Sequence, residues 1–206
     1  MTDKLVIALA QLNPTVGKIG ANLEKLRETR KKAAEEGADL ILTSELYTCG
    51  YPPEDLVRKP QFISSLRSAV EAFASETSDG GPAVLLGTPW VESDRLHNSL
   101  VLIEGGAITT ARHKYDLPNY GVFDEKRVFD PGPMPGPISF KDVRIGVPIC
   151  EDIWTPEVVE CITETGGEII LVPNGSPFEA GKTDMRVITP LQEWWSPNVR
   201  SFISTR

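Results

Sequence analysis

"GVPICEDIW", residues 146–154, is the stretch whose reading decides the fold. The β-formers Val143, Ile145, Val147 and Ile149 alternate into it and stop at Cys150, where Glu151 and Asp152 follow at once. A thiol beside two acids is a poorer thiolate, so taken alone Cys150 reads as a buried structural cysteine. Two other strand-like runs end in groups whose chemistry fits a thiol. "LILTSE" (40–45) ends in Glu45, and "AITTARHK" (107–114) ends in Lys114. Ligand sites in α/β sheets gather beyond the carboxyl ends of strands, so the three are expected to converge.

Their chemistry is complementary. A free thiol has a pKa of about 8.5 and is mostly protonated at neutral pH. A carboxylate can take its proton. An ammonium can balance the charge on the thiolate and then on a substrate oxygen. The backbone N–H of Glu151 is a candidate second oxyanion donor. His113 next to Lys114 invites a His–Cys pair, but alternation along a strand sends it to the opposite face.

The rest of the chain reads as α/β. "KLVIALAQ" (4–11) is a buried strand. Asn22 is placed to cap a helix running to about Glu36, with Leu23 and Leu26 on one face, and Gly37 ends it. "CGYPPEDL" is an irregular loop. Residues 60–77 have helical spacing, with Phe62, Leu66, Val70 and Phe73 on one face. "AVLLGTPWV" is a strand, and "NSLVLIEGGAITTARHKY" a hairpin across Gly105-Gly106. A Pro- and Gly-rich loop follows, too long for a mere connection. "ISFKDVRIGVPIC" is a second hairpin, residues 156–165 a helix, and "EIILVPN" (168–174) another strand. The order predicts a mixed sheet with helices on one or both faces.

Composition excludes several classes. The chain has 206 residues, enough for one α/β domain. Its net charge of −8 disfavours nucleic acid, whose partners lean basic. It has no apolar run long enough to span a membrane. Three cysteines and two histidines without metal spacing predict free thiols in a reducing, cytoplasmic setting and no metal site. "VPNGSPFEAGKT" has one residue too many between its glycines for a phosphate-binding loop, and Pro177 removes a donor inside it. No G-x-S-x-G elbow is present.

Four separated motifs, "SELYTCGYPPEDL", "RHKYDLPNYGVFDEKRVF", "PICEDIW" and "PNGSPF", occur in the order found in the nitrilase, or carbon–nitrogen hydrolase, superfamily. More closely, they resemble the glutaminase domain of glutamine-dependent NAD synthetases. The resemblance implies an α-β-β-α sandwich with Glu45 as general base, Lys114 as stabiliser of thiolate and oxyanion, and Cys150 as nucleophile. It also implies Tyr120, Glu125, Trp154 and Ser176 around the substrate, Glu125 orienting Lys114 or binding the amino group. The substrate implied is L-glutamine, with no cofactor for the glutaminase step. ATP and Mg belong to a synthetase domain that receives the ammonia and is absent from these 206 residues. The family also implies a homo-oligomer. Stand-alone amidase or nitrilase activity is the alternative, and an inactive truncated fragment a further one. Other readings of single residues stay in view. Cys49 and Cys161 match no motif. Glu125 lies in the charge cluster "DEKR", and Trp154 could cover core.

The resemblance is expected to end after Arg186. Residues 1–186 then form the hydrolase domain, and 187–206 an aberrant tail without helical or strand period, interrupted by Pro190 and Pro197. One choice of codons for that tail, read in a shifted frame, gives a helix pattern and then an apolar strand. We therefore expect a frameshifted tail that forms no core element, and a sandwich incomplete at its C-terminus.

Overall fold

Leu40, Ile41 and Leu42 are all fully buried, yet they face two different cores. Leu40 and Leu42 pack between two sheets, while Ile41 packs under helices. Such a strand is covered on both faces, which is why its sequence is continuously apolar rather than alternating. The protein, a computed structural model, is described over residues 4–175 and, as backbone, 200–204.

The first sheet runs β1 (Ile7–Leu9), β2 (Leu40–Leu42), β3 (Ala83–Glu92), β4 (Arg95–Glu104) and β5 (Ala107–His113), in that spatial order. β1, β2 and β3 are parallel; β3, β4 and β5 form an antiparallel meander. The second sheet runs β6 (Ile138–Phe140), β7 (Val143–Gly146), β8 (Ile169–Pro173) and β9 (Arg200–Ser204). β6 and β7 are a hairpin, and β7, β8 and β9 are parallel. The three hairpins turn on Ser93-Asp94, Gly105-Gly106 and Lys141-Asp142, every one with positive φ. Those angles suit the tight turns whose twist matches the flanking strands.

α1 (Ile19–Glu35) and α2 (Pro60–Glu76) cover the outer face of the first sheet. Leu23, Leu26, Leu66, Val70 and Phe73 meet Ile41, Val84, Leu86, Val101 and Ile103 there. α3 (Pro156–Glu164) covers the second sheet through Val158, Val159 and Ile162 against Ile170 and Val172. Between the sheets, Leu85, Leu100 and Leu102 meet Ile145, Val147, Ile149 and Leu171. The layers are α-β-β-α, as expected.

Three local expectations change. Asn22 does not cap α1, which starts at Ile19. Its buried amide instead bonds Thr15 N, Thr15 O and Thr48 O, because a side chain pointing inward from the first turn serves neighbouring loops better than its own helix end. The strands that carry Glu45, Lys114 and Cys150 end earlier than their sequences suggest, at Leu42, His113 and Gly146. Finally, part of the tail, Arg200–Ser204, is a strand beside β8, although its sequence has no strand period. A parallel neighbour can be recruited through backbone hydrogen bonds alone. The boundary drawn at 186 lies outside the described residues.

Leu85 is 1% exposed at the centre of the inter-sheet core. Leu85→Ala is expected to cost about 2–5 kcal/mol, measured by urea unfolding at constant m-value.

Candidate active site

Glu45 sits in a turn just past β2. That turn is tied to β3: Thr43 Oγ1 accepts from Gly87 N at 2.9 Å, and Thr48 N donates to Gly87 O at 3.1 Å. The approach is so close that a Cβ on Gly87 would stand 2.2 Å from Ser44 O, which is why the position carries glycine. Lys114 follows β5. Its N–H bonds Asn98 O at 2.8 Å, and its carbonyl accepts from Gly132 N at 2.7 Å. Cys150 opens a single 3₁₀ turn, Cys150–Trp154, with φ +49. Such a turn carries the side chain out of line with the preceding strand.

The three segments meet in a buried charge network. Lys114 Nζ lies 2.7 Å from Glu45 Oε1 and 2.9 Å from Glu125 Oε1, with all three side chains 5% exposed or less. Asn98 Nδ2 donates to Glu45 Oε1 at 2.8 Å and to Glu125 Oε2 at 3.3 Å. Tyr51 OH donates to Glu125 Oε1 at 3.0 Å. Past β8, Asn174 and Gly175 connect acid and thiol. Cys150 Sγ is 3.5 Å from Asn174 Oδ1, and Gly175 N donates to Glu45 Oε2 at 3.0 Å.

One lysine faces two acids, and the protonation states follow. Burial lowers the Lys114 pKa, but the charges of Glu45, Cys150 and Glu125 outweigh it and raise the pKa above the ordinary lysine value. Burial, with the charge of Glu45, pushes Glu125 up to about 7 despite Lys114. Burial also pushes Asp152 up to about 7, against three backbone N–H bonds that favour its ionised form. The Tyr51 phenol is driven well above its usual range by burial first and then by the two acids, so it remains a donor.

The residues expected in the site divide. Glu45, Lys114, Cys150 and Glu125 are together. Glu125 is drawn out of its charge cluster by a short turn, Glu125–Arg127, and is only 4% exposed. Tyr120, half exposed, donates to the Glu151 carboxylate at 2.9 Å, placing both polar groups beside Cys150. Trp154 packs instead on the apolar cluster under α3. Ser176 lies outside the described residues, as does most of the "VPNGSPFEAGKT" stretch. His113 turns away, to Ser99 Oγ at 2.7 Å and Glu92 at 3.0 Å, and stacks on His97. Cys49 is fully buried and Cys161 partly so. Cavities of about 400 and 520 Å³ lie elsewhere, one by Asp39 and Lys141 and one by Arg67 and Trp90. Neither cavity is lined by Glu45, Lys114 or Cys150.

Sequence reading missed Asn98, Tyr51, Asn174, Gly175 and Asp152. For Asn98 a signal existed. It shares the inward face of β4 with Leu100 and Leu102, so a polar residue there needs buried partners.

The fold and this site define a class: the chain belongs to the carbon–nitrogen hydrolase family, whose model matches residues 6–200. More particularly, the chain is similar to glutamine-dependent NAD(+) synthetases. It is 41% identical over 186 residues to the one from Rhodobacter capsulatus, a match covering 90% of this chain and 34% of that protein. The synthetase structure from Acinetobacter baumannii, in complex with ADP, is 36% identical with a TM-score of 0.82, over 87% of this chain and 34% of that one. An amidase from Nesterenkonia sp. AN1 is 27% identical with a TM-score of 0.76, over 90% of this chain and 71% of that one. The chain spans about a third of the length of the synthetases it matches. Among the described residues, no helix is long and apolar enough to cross a membrane.

Glu125 holds its proton to about pH 7 when folded, whereas its ordinary value is 4.5. The folded state therefore loses relative stability as pH rises between those values and no more above them. Glu125→Gln removes this titration. Its stability relative to the unaltered protein is expected to rise from about pH 4.5 to about pH 7 and then level off, read from urea midpoints across that range.

Proposed function

We propose that this site hydrolyses the side-chain amide of L-glutamine to glutamate and ammonia through a thioester on Cys150. The observation that carries the reading is the buried Glu45–Lys114 pair, joined to Cys150 through Asn174 and Gly175. Similarity to glutamine-dependent NAD(+) synthetases supplies the substrate class.

Glu45 takes the thiol proton as Sγ attacks the amide carbon. Lys114 faces the negative charge that collects on the carbonyl oxygen. The C–N bond breaks as Glu45 returns the proton to nitrogen, and ammonia leaves. Water, deprotonated by Glu45, then hydrolyses the thioester and frees glutamate and the thiol. No cofactor enters these steps. Glu125, with Tyr51 and Asn98, holds Lys114 in place, and Tyr120 with Glu151 offers polar partners to the amino-acid end of the substrate. Ammonia released here would serve a synthetase domain that uses ATP and Mg. The relatives' length supports that partnership, since this chain covers about a third of it.

A stand-alone amidase is the second reading. Its support is coverage: the chain spans 71% of the Nesterenkonia amidase. The higher identity to the synthetases and the polar Tyr120–Glu151 pair favour glutamine. Comparing kcat/KM for glutamine with that for a simple aliphatic amide decides between them.

The triad is tested directly. Glu45→Gln and Lys114→Met are each expected to lower kcat by about 10² or more. A glutamine-like diazo ketone should label Cys150, located by peptide mass spectrometry. Labelling of Cys49 or Cys161 instead, or near-full activity in either variant, would refute the assignment.

A further inference from the structure

Asp152 is buried, at 1% exposure, two positions after the nucleophile. Its Oδ2 accepts from Ile149 N at 3.0 Å, the residue just before Cys150. Its Oδ1 accepts from Tyr115 N at 3.0 Å and Asp116 N at 2.7 Å, the two residues just after Lys114. A second tie runs parallel to it: Thr155 Oγ1, at the end of the same turn, donates to Asp116 Oδ2 at 2.9 Å.

These bonds join two different sheets. Cys150 leaves the second sheet after β7, and Lys114 leaves the first after β5. The inter-sheet core sets their spacing only through apolar packing, which has no directional preference. The Cys150 turn also holds a positive φ, which is uncommon for a residue with a Cβ. Something directional must hold it, and a short carboxylate with two acceptor oxygens can reach both sides.

We propose that Asp152 is a positioning residue that sets the nucleophile against the lysine, by binding the backbone N–H groups on either side of the two. It touches no substrate. It acts through the backbone of Cys150 and Lys114, and it rests on the reading of these as nucleophile and stabiliser. Neither an amide nor a hydroxyl can replace it. Asn would turn N–H₂ toward an N–H donor, and Ser has a single oxygen.

The test uses the whole chain and three readouts. Iodoacetamide alkylation of Cys150, followed by peptide mass spectrometry, reports the nucleophile without substrate. Asp152→Asn is expected to slow it at least about tenfold relative to the unfolded chain's rate. With glutamine, kcat is expected to fall at least about tenfold while KM changes little, a split that simple loss of folded protein does not give. Asp152→Glu, which keeps both oxygens, should recover part of both. A folded Asp152→Asn variant with unaltered alkylation and kcat, or with a change in KM alone, overturns the proposal. If that variant does not fold, amide exchange in the unaltered protein decides. Slow exchange at Ile149, Tyr115 and Asp116 supports the bridge, and fast exchange overturns it. Alkylation that depends on Asp152 in a protein inert toward glutamine would sustain this proposal and refute the glutaminase reading instead.

Discussion

The structure depends on one buried ammonium shared by two carboxylates. Lys114 is fully buried, and removing such a charge from water costs several kcal/mol unless it is met by opposite charge and hydrogen bonds. Glu45 and Glu125 both meet it, from the turn after β2 and from the loop after β5. Two acids on one lysine leave an excess of negative charge. The excess is relieved by keeping a proton on Glu125 near neutrality and by the Asn98 amide, which donates to both. Each member is costly alone, so the network holds as a unit. That requirement fixes the irregular loops that carry it more firmly than their own sequences could.

The sandwich explains why the Cys150 thiol arrives from elsewhere. Glu45 and Lys114 stand at the end of the first sheet, and the Cys150 thiol stands at the end of the second. Face-to-face packing of two sheets leaves the strand ends of both at one rim, separated by the thickness of the core. The short turn at Cys150 and the Asn174–Gly175 pair after β8 bring groups across that rim. Gly175 suits the approach. A Cβ on it would stand 2.9 Å from Glu45 Oε2, where its own N–H now bonds.

The approach of backbone to backbone recurs as the device that positions side chains. β3 passes Ser44 closely enough that only glycine fits at position 87, which locks the Glu45 turn to a central strand. A carboxylate held from a buried strand moves less than one held from a surface loop, which keeps Glu45 in register with Lys114.

Much of this was legible in the sequence. Continuous apolar runs marked strands covered on both faces. Helical spacing marked α2, and Gly105-Gly106 marked a turn. An acid, a lysine and a thiol, each at the end of such a run, marked the groups that converge. These are local properties, because the period of a strand or helix reports which face a residue occupies. Other features came only with the tertiary structure. The register β4–β5 sets Asn98 opposite Lys114, and a folded loop takes Glu125 out of a charge cluster and buries it. Asp152, which reads locally as one more acid beside a thiol, becomes a bridge between sheets. Asn22 leaves its expected cap for neighbouring loops, and an aperiodic tail segment pairs with β8. The reason is common to all of them. Each depends on which backbone groups and charges arrive from distant parts of the chain, and local periodicity carries no record of that.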